Sequence, residues 1–256
     1  MQNNIKISSI TIAKDEEKNI ERCIASMKEC VDEIIVIIDD RTQDKTLEIV
    51  KRNGAVYEVT PWQGYSKTKD NAILKASNDW ILWIDADEAL TPELQKELID
   101  FKNSEPKNAA YSIPRKANFL GRWIMHSGWY PGRITRLFNK KYAHFSLKDV
   151  HEHLIVNGET GQLNGDIEHY TDPSIRHYYE KFNIYTTLAA EELFKKNKPV
   201  SLKDILIRPA FLFFKMYILK RGFLDGLQGF ILAVFSANYV FTKYSKLLEL
   251  KKFRQD

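Results

Sequence analysis

The sequence has few cysteines and lacks the glycine-rich motifs of several common enzyme classes. Its two cysteines, Cys23 and Cys30, are too few for a disulfide framework or a thiolate metal site, which fits a reducing compartment. No glycine lies between Thr11 and Lys18, where a dinucleotide-binding fingerprint or a triphosphate-binding loop would need one. These absences argue against a disulfide-stapled domain, a dinucleotide oxidoreductase and a sugar nucleotidyltransferase.

Long hydrophobic runs are also scarce. The first residues have no apolar stretch behind a basic start, so we expect no secretory signal and a location on the cytoplasmic side. No uncharged apolar run of eighteen or more residues begins before Asp225, and Gly226–Thr242 is uncharged over only 17 residues, which is short for a membrane span. The sequence also lacks internal repeats and low-complexity segments.

The composition is that of an ordinary folded protein with an uneven distribution of charge. The 256 residues are 44% hydrophobic and 28% charged, enough for one large domain or a domain with an appendage. The net charge is +4, but the segment from Lys195 to the end carries 13 Lys and Arg against 4 Asp and Glu. An acidic body therefore precedes a basic, aromatic-rich tail.

Short apolar runs alternate with helical patterns in the first hundred residues. The runs Glu33–Ile38 and Trp80–Ile84 predict strands buried on both faces, and Thr91-Pro92 predicts a helix start. The other predicted strands are Ile5–Ile12 and Ala55–Val59, and the other predicted helices are Glu16–Val31, Thr42–Asn53 and Gly64–Ala76. This alternation predicts an α/β fold with a mainly parallel sheet flanked by helices.

Acidic residues follow the predicted strands, at the edge of the sheet where ligands bind in such folds. After the strand ending at Ile84, Asp85 and Asp87 could hold Mg²⁺ or Mn²⁺ on a nucleotide diphosphate, with one carboxylate free for ribose or sugar. Asp39 and Asp40 could accept hydrogen bonds from a base or ribose. The alternatives are a solvated turn for the first pair and a helix cap for the second.

Lysine 69 lies on the predicted helix before the strand that ends at Ile84. Its ammonium group could supply positive charge to an anionic donor. A solvated helix lysine is the alternative interpretation of Lys69.

Three runs of sequence resemble the family 2 glycosyltransferases, which have the GT-A fold: ISSITIAKDEEKNIERCIASM, DEIIVIIDDRTQDKT and GYSKTKDNAILKASNDWILWIDADE. Within the family the resemblance is strongest to bacterial lipopolysaccharide core glucosyltransferases, which add β-1,4-glucose to inner-core heptose. It continues through YSIPRKANFLGRWIMHSGWYPGRITRLF, DVHEHL, YTTLAAEEL and MYILKRGFLDG, so it covers nearly the whole chain.

The resemblance implies roles for several residues. Thr11 and Asp15 would line the nucleotide pocket with Asp39 and Asp40, and Asp87 would be the main metal ligand. The sequence departs from the family at two places. Relatives usually have Asn-Glu-Glu at the position of Asp15-Glu16-Glu17, and they commonly have Asp-Ser-Gly-Ser-Thr-Asp at the position of Asp39–Asp44. The second departure places Asp and Arg where the family has small residues, and it bears on the identity of the donor.

An inverting transferase needs a base to take the proton of the acceptor hydroxyl, in a reaction with an oxocarbenium-like transition state. The segment His151-Glu152-His153 offers Glu152 as this base. On a strand the two histidines would share one face and Glu152 would point the other way. A structural, acceptor-binding or metal-binding role for this segment is the alternative, and Asp149 and Asp166 are the alternative bases. A zinc site is disfavoured because HExxH is absent.

The segment Gly121–Phe138 is aromatic and basic, which suits sugar stacking and phosphate contacts or simply a packed aromatic cluster. The stacking candidates are Trp123, Trp129 and Tyr130, and the phosphate-binding candidates are Arg133 and Arg136. The acceptor-binding residues we select are Trp129, Arg136 and His151. Nucleic acid could use the same composition, but we expect no nucleic-acid partner.

The tail Ile205–Phe241 is apolar but interrupted by charged residues, most of them basic. This pattern predicts helices that lie on an anionic membrane surface with Lys and Arg toward the headgroups. A helical packing module, a dimer interface and a true membrane span are the alternatives.

The sequence therefore predicts a GT-A catalytic domain at residues 1–175, with a nucleotide-sugar half (1–110) and an acceptor half (111–175), followed by a helical membrane-surface extension (176–256). The predicted enzyme is an inverting, metal-dependent hexosyltransferase, peripheral on the inner face of the cytoplasmic membrane. Its predicted donor is a UDP-sugar, with UDP-glucose favoured, and its acceptor a glycolipid such as lipopolysaccharide inner-core heptose. A transferase for another surface glycan and a non-catalytic nucleotide-sugar-binding protein are the alternatives.

Overall fold

The computed structural model describes residues 5–62, 65–146 and 154–253. The candidate residues Asp149, His151 and Glu152 lie outside these ranges. The chain divides into two compact units. The first, which we call the sheet unit, comprises Met1–Arg115 and Gly132–Tyr170. The second, which we call the helical unit, comprises Lys116–Pro131 and Thr171–Asp256.

The strands, in chain order, are β1 (Ile7–Ala13), β2 (Glu33–Asp39), β3 (Val56–Thr60), β4 (Trp80–Trp83), β5 (Glu88–Leu90), β6 (Ala110–Ile113), β7 (Arg115–Phe119), β8 (Arg122–Ile124), β9 (Ile134–Asn139), β10 (Ala143–Phe145), β11 (Leu154–Val156), β12 (Thr160–Gln162) and β13 (Ile167–Asp172). The helices are α1 (Ile20–Met27), α2 (Thr46–Arg52), α3 (Tyr65–Lys75), α4 (Pro92–Lys102), α5 (Ile175–Lys195), α6 (Arg208–Phe214) and α7 (Gly226–Phe253).

The sheet unit is built on a mixed seven-stranded sheet of order β12-β6-β9-β4-β1-β2-β3. The strands β4, β1, β2 and β3 are parallel to their neighbours in this group, whereas β9 is antiparallel to both β4 and β6. Two further pairs are antiparallel, β10 with β11 and β5 with β13. The strand–helix alternation of the sequence thus produces parallel pairing in the first half, as predicted.

Both faces of the sheet are buried, and its central strand β4 is apolar throughout. In β4, Ile81 and Trp83 pack in one buried cluster with Phe138, and Leu82 packs in another with Ile7. This is the alternation expected of a strand covered on both sides. The first cluster includes residues of α3, and the second includes residues of α1 and α4, so helices cover both faces of the sheet.

Side chains that bond to the backbone set the starts of two helices. Helix α4 begins as predicted, because the Thr91 hydroxyl accepts the Leu94 N–H at 3.3 Å and Pro92 occupies the first turn. Helix α2 begins at Thr46 and not at Thr42, because the Asp44 carboxylate accepts the Thr46 N–H at 2.9 Å and forms a turn before the helix.

The helical unit contains the β7–β8 hairpin, α5, α6 and α7. Two π-helical segments flank α6, at Lys203–Ile207 and Lys215–Leu219, and a 3₁₀ turn at Gly222–Asp225 precedes α7. This turn and α7 together, Gly222–Phe253, are long and apolar enough to cross a membrane by length and composition. The most apolar 18 residues have a mean hydropathy of 1.3, and 22% of them are buried.

Candidate active site

The acidic segments predicted to form the site lie at one edge of the seven-stranded sheet. Asp39 is the last residue of β2, and Asp85 and Asp87 lie directly after β4. Because β4, β1 and β2 are adjacent and parallel, their carboxyl ends meet at the same edge. This edge is where parallel sheets of this kind bind their ligands.

Asp85 is the centre of a charged network. Its carboxylate pairs with the Arg136 guanidinium of β9 and accepts the Trp83 indole N–H at 3.2 Å. The same Arg136 Nη2 donates to Glu88 at 2.8 Å, and Arg115 donates to Glu88 at 3.2 Å. Arg136 therefore connects a carboxylate at the rim of the site to one that is fully buried.

The network fixes the charges of its members. Burial opposes ionisation of Asp85, but the adjacent Arg136 guanidinium and the charge of Lys69 outweigh it and lower the pKa of Asp85 to about 2. Burial raises the pKa of Glu88 above its ordinary value, against the effect of Arg136. Despite its own burial, Arg136 has a raised pKa because two carboxylates surround it. Asp85 is thus an anion and Arg136 a cation at neutral pH.

Asp87 lies next to a histidine that the sequence analysis did not select. Its Oδ2 atom is 3.2 Å from Nε2 of His169, and its backbone carbonyl accepts the Tyr170 N–H at 2.9 Å. Both side chains are partly exposed, Asp87 at 22% and His169 at 16%. A carboxylate and a neutral imidazole are both metal ligands, so this pair has the donor set for a divalent cation such as Mn²⁺.

The remaining ligands of such a cation would be substrate phosphates and water. Among residues 5–62, 65–146 and 154–253, no group of three or more His, Cys, Asp and Glu side chains is placed to hold a metal ion. Mg²⁺ and Mn²⁺ commonly take only one or two protein ligands and complete their coordination with substrate phosphates and water. The site therefore fits a cation that is shared with a bound diphosphate.

Lys69, on α3, lies beside Asp85. Its ammonium nitrogen is 5.1 Å from the ring centroids of both Trp83 and Phe145, and its charge contributes to the lowered pKa of Asp85. This position supplies positive charge at the same sheet edge.

At the end of β2, the Asp39 carboxylate is held by Arg41. Oδ1 accepts the backbone N–H and the Nε–H of Arg41, each at 2.9 Å, and Oδ2 pairs with Nη2 at 2.6 Å. These hydrogen bonds lower the pKa of Asp39 to about 2, although burial opposes the shift. The side chain of Arg41 is 57% exposed. Asp40 is exposed, and its N–H donates to the Thr60 carbonyl at 3.1 Å.

The two residues assigned from the first strand occupy different surroundings. Thr11 is fully buried, with its hydroxyl 4.0 Å from Sγ of Cys23. Asp15 is exposed and has a positive φ of 54°. Its carboxylate accepts the Gln43 N–H at 2.8 Å, which joins the loop after β1 to the loop after β2.

Two of the acceptor-binding candidates belong to different units. Arg136 lies in the sheet unit and is 9% exposed. Trp129 lies in the helical unit, with its ring 6.4 Å from Phe119. The alternative base Asp166 has a buried Oδ1 atom without a hydrogen-bond partner in the described ranges.

Sequence reasoning missed His169, Glu88 and Arg41. Histidine 169 reaches Asp87 through the pairing of β13 with β5, in which it lies opposite Glu88. No spacing in the sequence indicates that pairing. Arg41 was noted only as a departure from the family pattern, although a charged residue two positions after a buried Asp is a signal for a local ion pair.

Comparison with known proteins shows the family of the chain. The profile of the family described as glycosyl transferase family 2 matches residues 8–157. An uncharacterized glycosyltransferase of Rickettsia prowazekii is 34% identical over 256 residues, which cover 96% of this chain and 87% of the relative. The lipopolysaccharide core biosynthesis glycosyltransferase LpsC of Rhizobium meliloti is 26% identical over 254 residues, covering 96% and 93%.

A solved structure shows the same fold. The mannosyltransferase PcManGT of Pyrobaculum calidifontis, in complex with GDP-Man and Mn²⁺, has a TM-score of 0.55 at 12% identity, covering 98% of this chain and 88% of its own. The fold is therefore that of a GT-A glycosyltransferase, a mainly parallel mixed sheet flanked by helices with a C-terminal helix, as predicted. The chain belongs to glycosyl transferase family 2.

Proposed function

We propose that the protein is an inverting hexosyltransferase that uses a UDP-sugar, with UDP-glucose favoured, and a membrane glycolipid acceptor. The observation that carries this proposal is the turn after β4, where an ionised Asp85 and the Asp87–His169 pair lie at the ligand-binding edge of the sheet. This arrangement suits a nucleotide diphosphate, whose negative charge must be neutralised as the sugar leaves.

In the proposed donor complex, Asp87 and His169 would hold Mg²⁺ or Mn²⁺. When bound, the cation neutralises the diphosphate leaving group. Asp85 remains ionised because Arg136 lies against it, so it is available to ribose or sugar hydroxyls or, as a second carboxylate, to the cation. The ammonium of Lys69 adds positive charge at the same edge.

The nucleoside would lie against Asp39 and Asp40, with Thr11 and Asp15 at the end of β1. Asp39 already accepts three hydrogen bonds from Arg41, so a base or ribose would share this carboxylate with the arginine or displace its exposed side chain. The contact between Asp15 and the loop after β2 supports a pocket formed by both loops. UDP is favoured as the nucleotide by the family resemblance.

For the acceptor we propose Glu152 as the base that removes the hydroxyl proton, with His151 and Trp129 binding the acceptor. A carboxylate within hydrogen-bond reach of the attacking hydroxyl is sufficient for this step. Arg136 was also selected as an acceptor-binding residue. Its ion pairs with Asp85 and Glu88 favour a role in positioning Asp85.

The helical unit and the relatives support the proposed acceptor and location. Exposed apolar side chains of α6 and its flanking segments, including Phe211, Phe214 and Ile218, stand among basic residues, a composition that suits an anionic membrane surface. LpsC is named for lipopolysaccharide core biosynthesis, which supports an inner-core acceptor approached from the cytoplasm. A transferase for another surface glycan is the alternative.

Calorimetric titration with UDP, with and without Mn²⁺, tests the donor site. We expect Mn²⁺ to strengthen binding to the native protein, and Asp87→Ala to remove that gain. Asp100→Ala, an exposed aspartate of α4, is the matched control and should retain it. If UDP fails to bind under either condition, the choice of nucleotide is wrong, and GDP and CDP are tested next. If none of these binds, the donor-site assignment fails.

The acceptor is tested by transfer of radiolabelled glucose from UDP-glucose to lipopolysaccharide truncated to its heptose-bearing inner core. Labelling of this lipid, and not of one that lacks heptose, is the expected result. Hydrolysis of the donor without labelling of either lipid would support another surface glycan as the acceptor.

A further inference from the structure

The helical unit contains a cavity of about 480 Å³, separate from the residues of the proposed donor site. Its walls come from the loop Ser127–Trp129 and from helices α5, α6 and α7 with the π-helical segment after α6. A volume of this size is within the range of small-ligand pockets.

Two lysines give the cavity its charge. Lys215 and Lys220 both line it, and neither ammonium group has an ion-pair or hydrogen-bond partner in the part of the chain that the structure describes. Both lysines are exposed, so their flexible side chains can turn their charge toward an anion at the cavity. The cavity is therefore suited to a negatively charged group.

The loop beside the lysines adds a buried donor. Ser127 is 3% exposed, and its hydroxyl has no hydrogen-bond partner within the described ranges. A buried hydroxyl without a partner costs free energy unless a ligand or water satisfies it. The backbone N–H of Ser127 donates to the Lys220 carbonyl at 2.9 Å, so this loop is held next to one of the two lysines.

The side chain of Asp225 also holds this loop in place. Asp225 accepts the N–H groups of Met125 and His126 at 3.2 and 2.9 Å, and lies 2.9 Å from Nδ1 of His126. Ser127 and Gly128 both have positive φ, 60° and 80°. These contacts hold the loop in one conformation, so the cavity is formed before a ligand binds.

The remaining walls are aromatic and aliphatic. Trp129, Tyr178 and Tyr239 line the cavity together with Leu212, Met216 and Val240. Such walls bind apolar groups, whereas the two lysines, Ser127 and Ser236 offer polar partners for an anion. The expected ligand is therefore an amphiphile with an anionic end and an apolar body.

We propose that this cavity binds the phosphate headgroup of a membrane lipid, a role that rests on the membrane location proposed above. The phosphate would lie between Lys215 and Lys220 and accept a hydrogen bond from Ser127. The first carbons of the acyl chains would pack on Leu212, Met216 and Val240. The site would hold the helical unit on a membrane through a specific contact as well as through general surface charge.

Calorimetry on the full chain tests the site with dihexanoyl phosphatidic acid below its micellar concentration. We expect phosphatidic acid to bind at least about tenfold more tightly than either inorganic phosphate or dihexanoyl phosphatidylcholine, since the first lacks the apolar part and the second the net negative charge. Equal affinity for inorganic phosphate would assign the cavity to a free anion, and equal affinity for phosphatidylcholine would remove the role of charge. Either result overturns the proposal.

A pair of matched variants separates the cavity from diffuse charge. Lys215→Gln with Lys220→Gln should weaken binding of phosphatidic acid about tenfold. Lys195→Gln with Lys198→Gln removes the same charge from exposed positions near the end of α5 and should change the affinity less than about twofold. An equal loss in both pairs contradicts the proposal. UDP titration of each variant, with its melting temperature, shows whether folding and the donor site remain intact.

Discussion

The Nε2 atom of His169 lies 3.2 Å from Oδ2 of Asp87, although the two residues are 82 positions apart. The antiparallel pairing of β5 with β13 produces this contact, because it sets His169 opposite Glu88, next to Asp87. The Tyr170 N–H also donates to the Asp87 carbonyl at 2.9 Å. The position of Asp87 is thus fixed by a strand from the far end of the sheet unit.

From this contact we predict that His169→Ala reduces the gain in UDP affinity that Mn²⁺ provides by about tenfold or more, because one ligand or orienting partner of the cation is lost. Binding of UDP without metal should stay the same. His144→Ala, an exposed histidine in the same unit, is the control and should keep the full metal effect. Retention of the metal effect by His169→Ala would show that the imidazole has no part in the site.

A second prediction concerns Arg136, which is 9% exposed and joins Asp85 to the fully buried Glu88. Arg136→Met leaves the buried Glu88 carboxylate with Arg115, at 3.2 Å, and the Asp85 N–H, at 3.0 Å, as hydrogen-bond donors. We expect a loss of about 3–5 kcal/mol in the free energy of unfolding, measured by urea denaturation. Adding Glu88→Gln removes the buried charge and should recover much of this loss. A double variant no more stable than the single one would contradict the assignment.

Much of the candidate site at the sheet edge could be predicted because it depends on local sequence. The apolar run before Asp85 indicates a central strand, and Thr91-Pro92 marks the start of α4. Parallel pairing then brings Asp39 and Asp85 to the same edge. These features can be predicted from short-range sequence patterns and from the general topology of parallel sheets.

The remaining parts of the site depend on contacts distant in sequence. Arg136 belongs to an aromatic and basic segment that suggested acceptor binding, yet the antiparallel position of β9 beside β4 aims it at Asp85. Histidine 169 stands in a polar stretch without helical or metal-ligand spacing. The register of β13 against β5, which places it, cannot be inferred from composition or periodicity.

The ion pair between Arg41 and Asp39 predicts a specific pH dependence of stability. The folded pKa of Asp39 is about 2, below its ordinary value of 3.8, so this pair stabilises the fold above pH 3.8 and loses its contribution as pH falls toward 2. We expect Arg41→Ala to lower the free energy of unfolding by about 1 kcal/mol at pH 7, since the arginine is more than half exposed. At pH 3 the difference from the native protein should shrink by about half.

Urea denaturation at pH 7, 5 and 3 measures this effect. Arg52→Ala removes an arginine whose pairing with Glu21 is exposed on both sides, so it should change stability by only a few tenths of a kcal/mol at every pH. A difference between the Arg41 variant and the native protein that stays constant from pH 7 to pH 3 would mean that the pair does not lower the pKa of Asp39.

The last prediction concerns Asp225, whose side chain joins the start of α7 to the loop after β8. It is 2% exposed and accepts the N–H groups of Met125 and His126. Asp225→Ala removes the buried carboxylate that accepts from both N–H groups, so we expect a loss of about 2–4 kcal/mol in the free energy of unfolding. Hydrogen exchange at these two amides should accelerate. Asp225→Asn keeps one acceptor oxygen and should have an intermediate effect.

Glu249→Ala, an exposed acidic residue on the same helix α7, is the control and should leave both exchange and stability nearly unchanged. If Asp225→Ala accelerates exchange at Met125 and His126 but leaves global stability intact, the carboxylate organises only the loop. In that case the cavity beside Ser127 should also lose its lipid-phosphate binding while the helices remain folded. If neither exchange nor stability changes, the three contacts of Asp225 are energetically neutral, and the loop conformation must be set by the positive-φ residues Ser127 and Gly128 themselves.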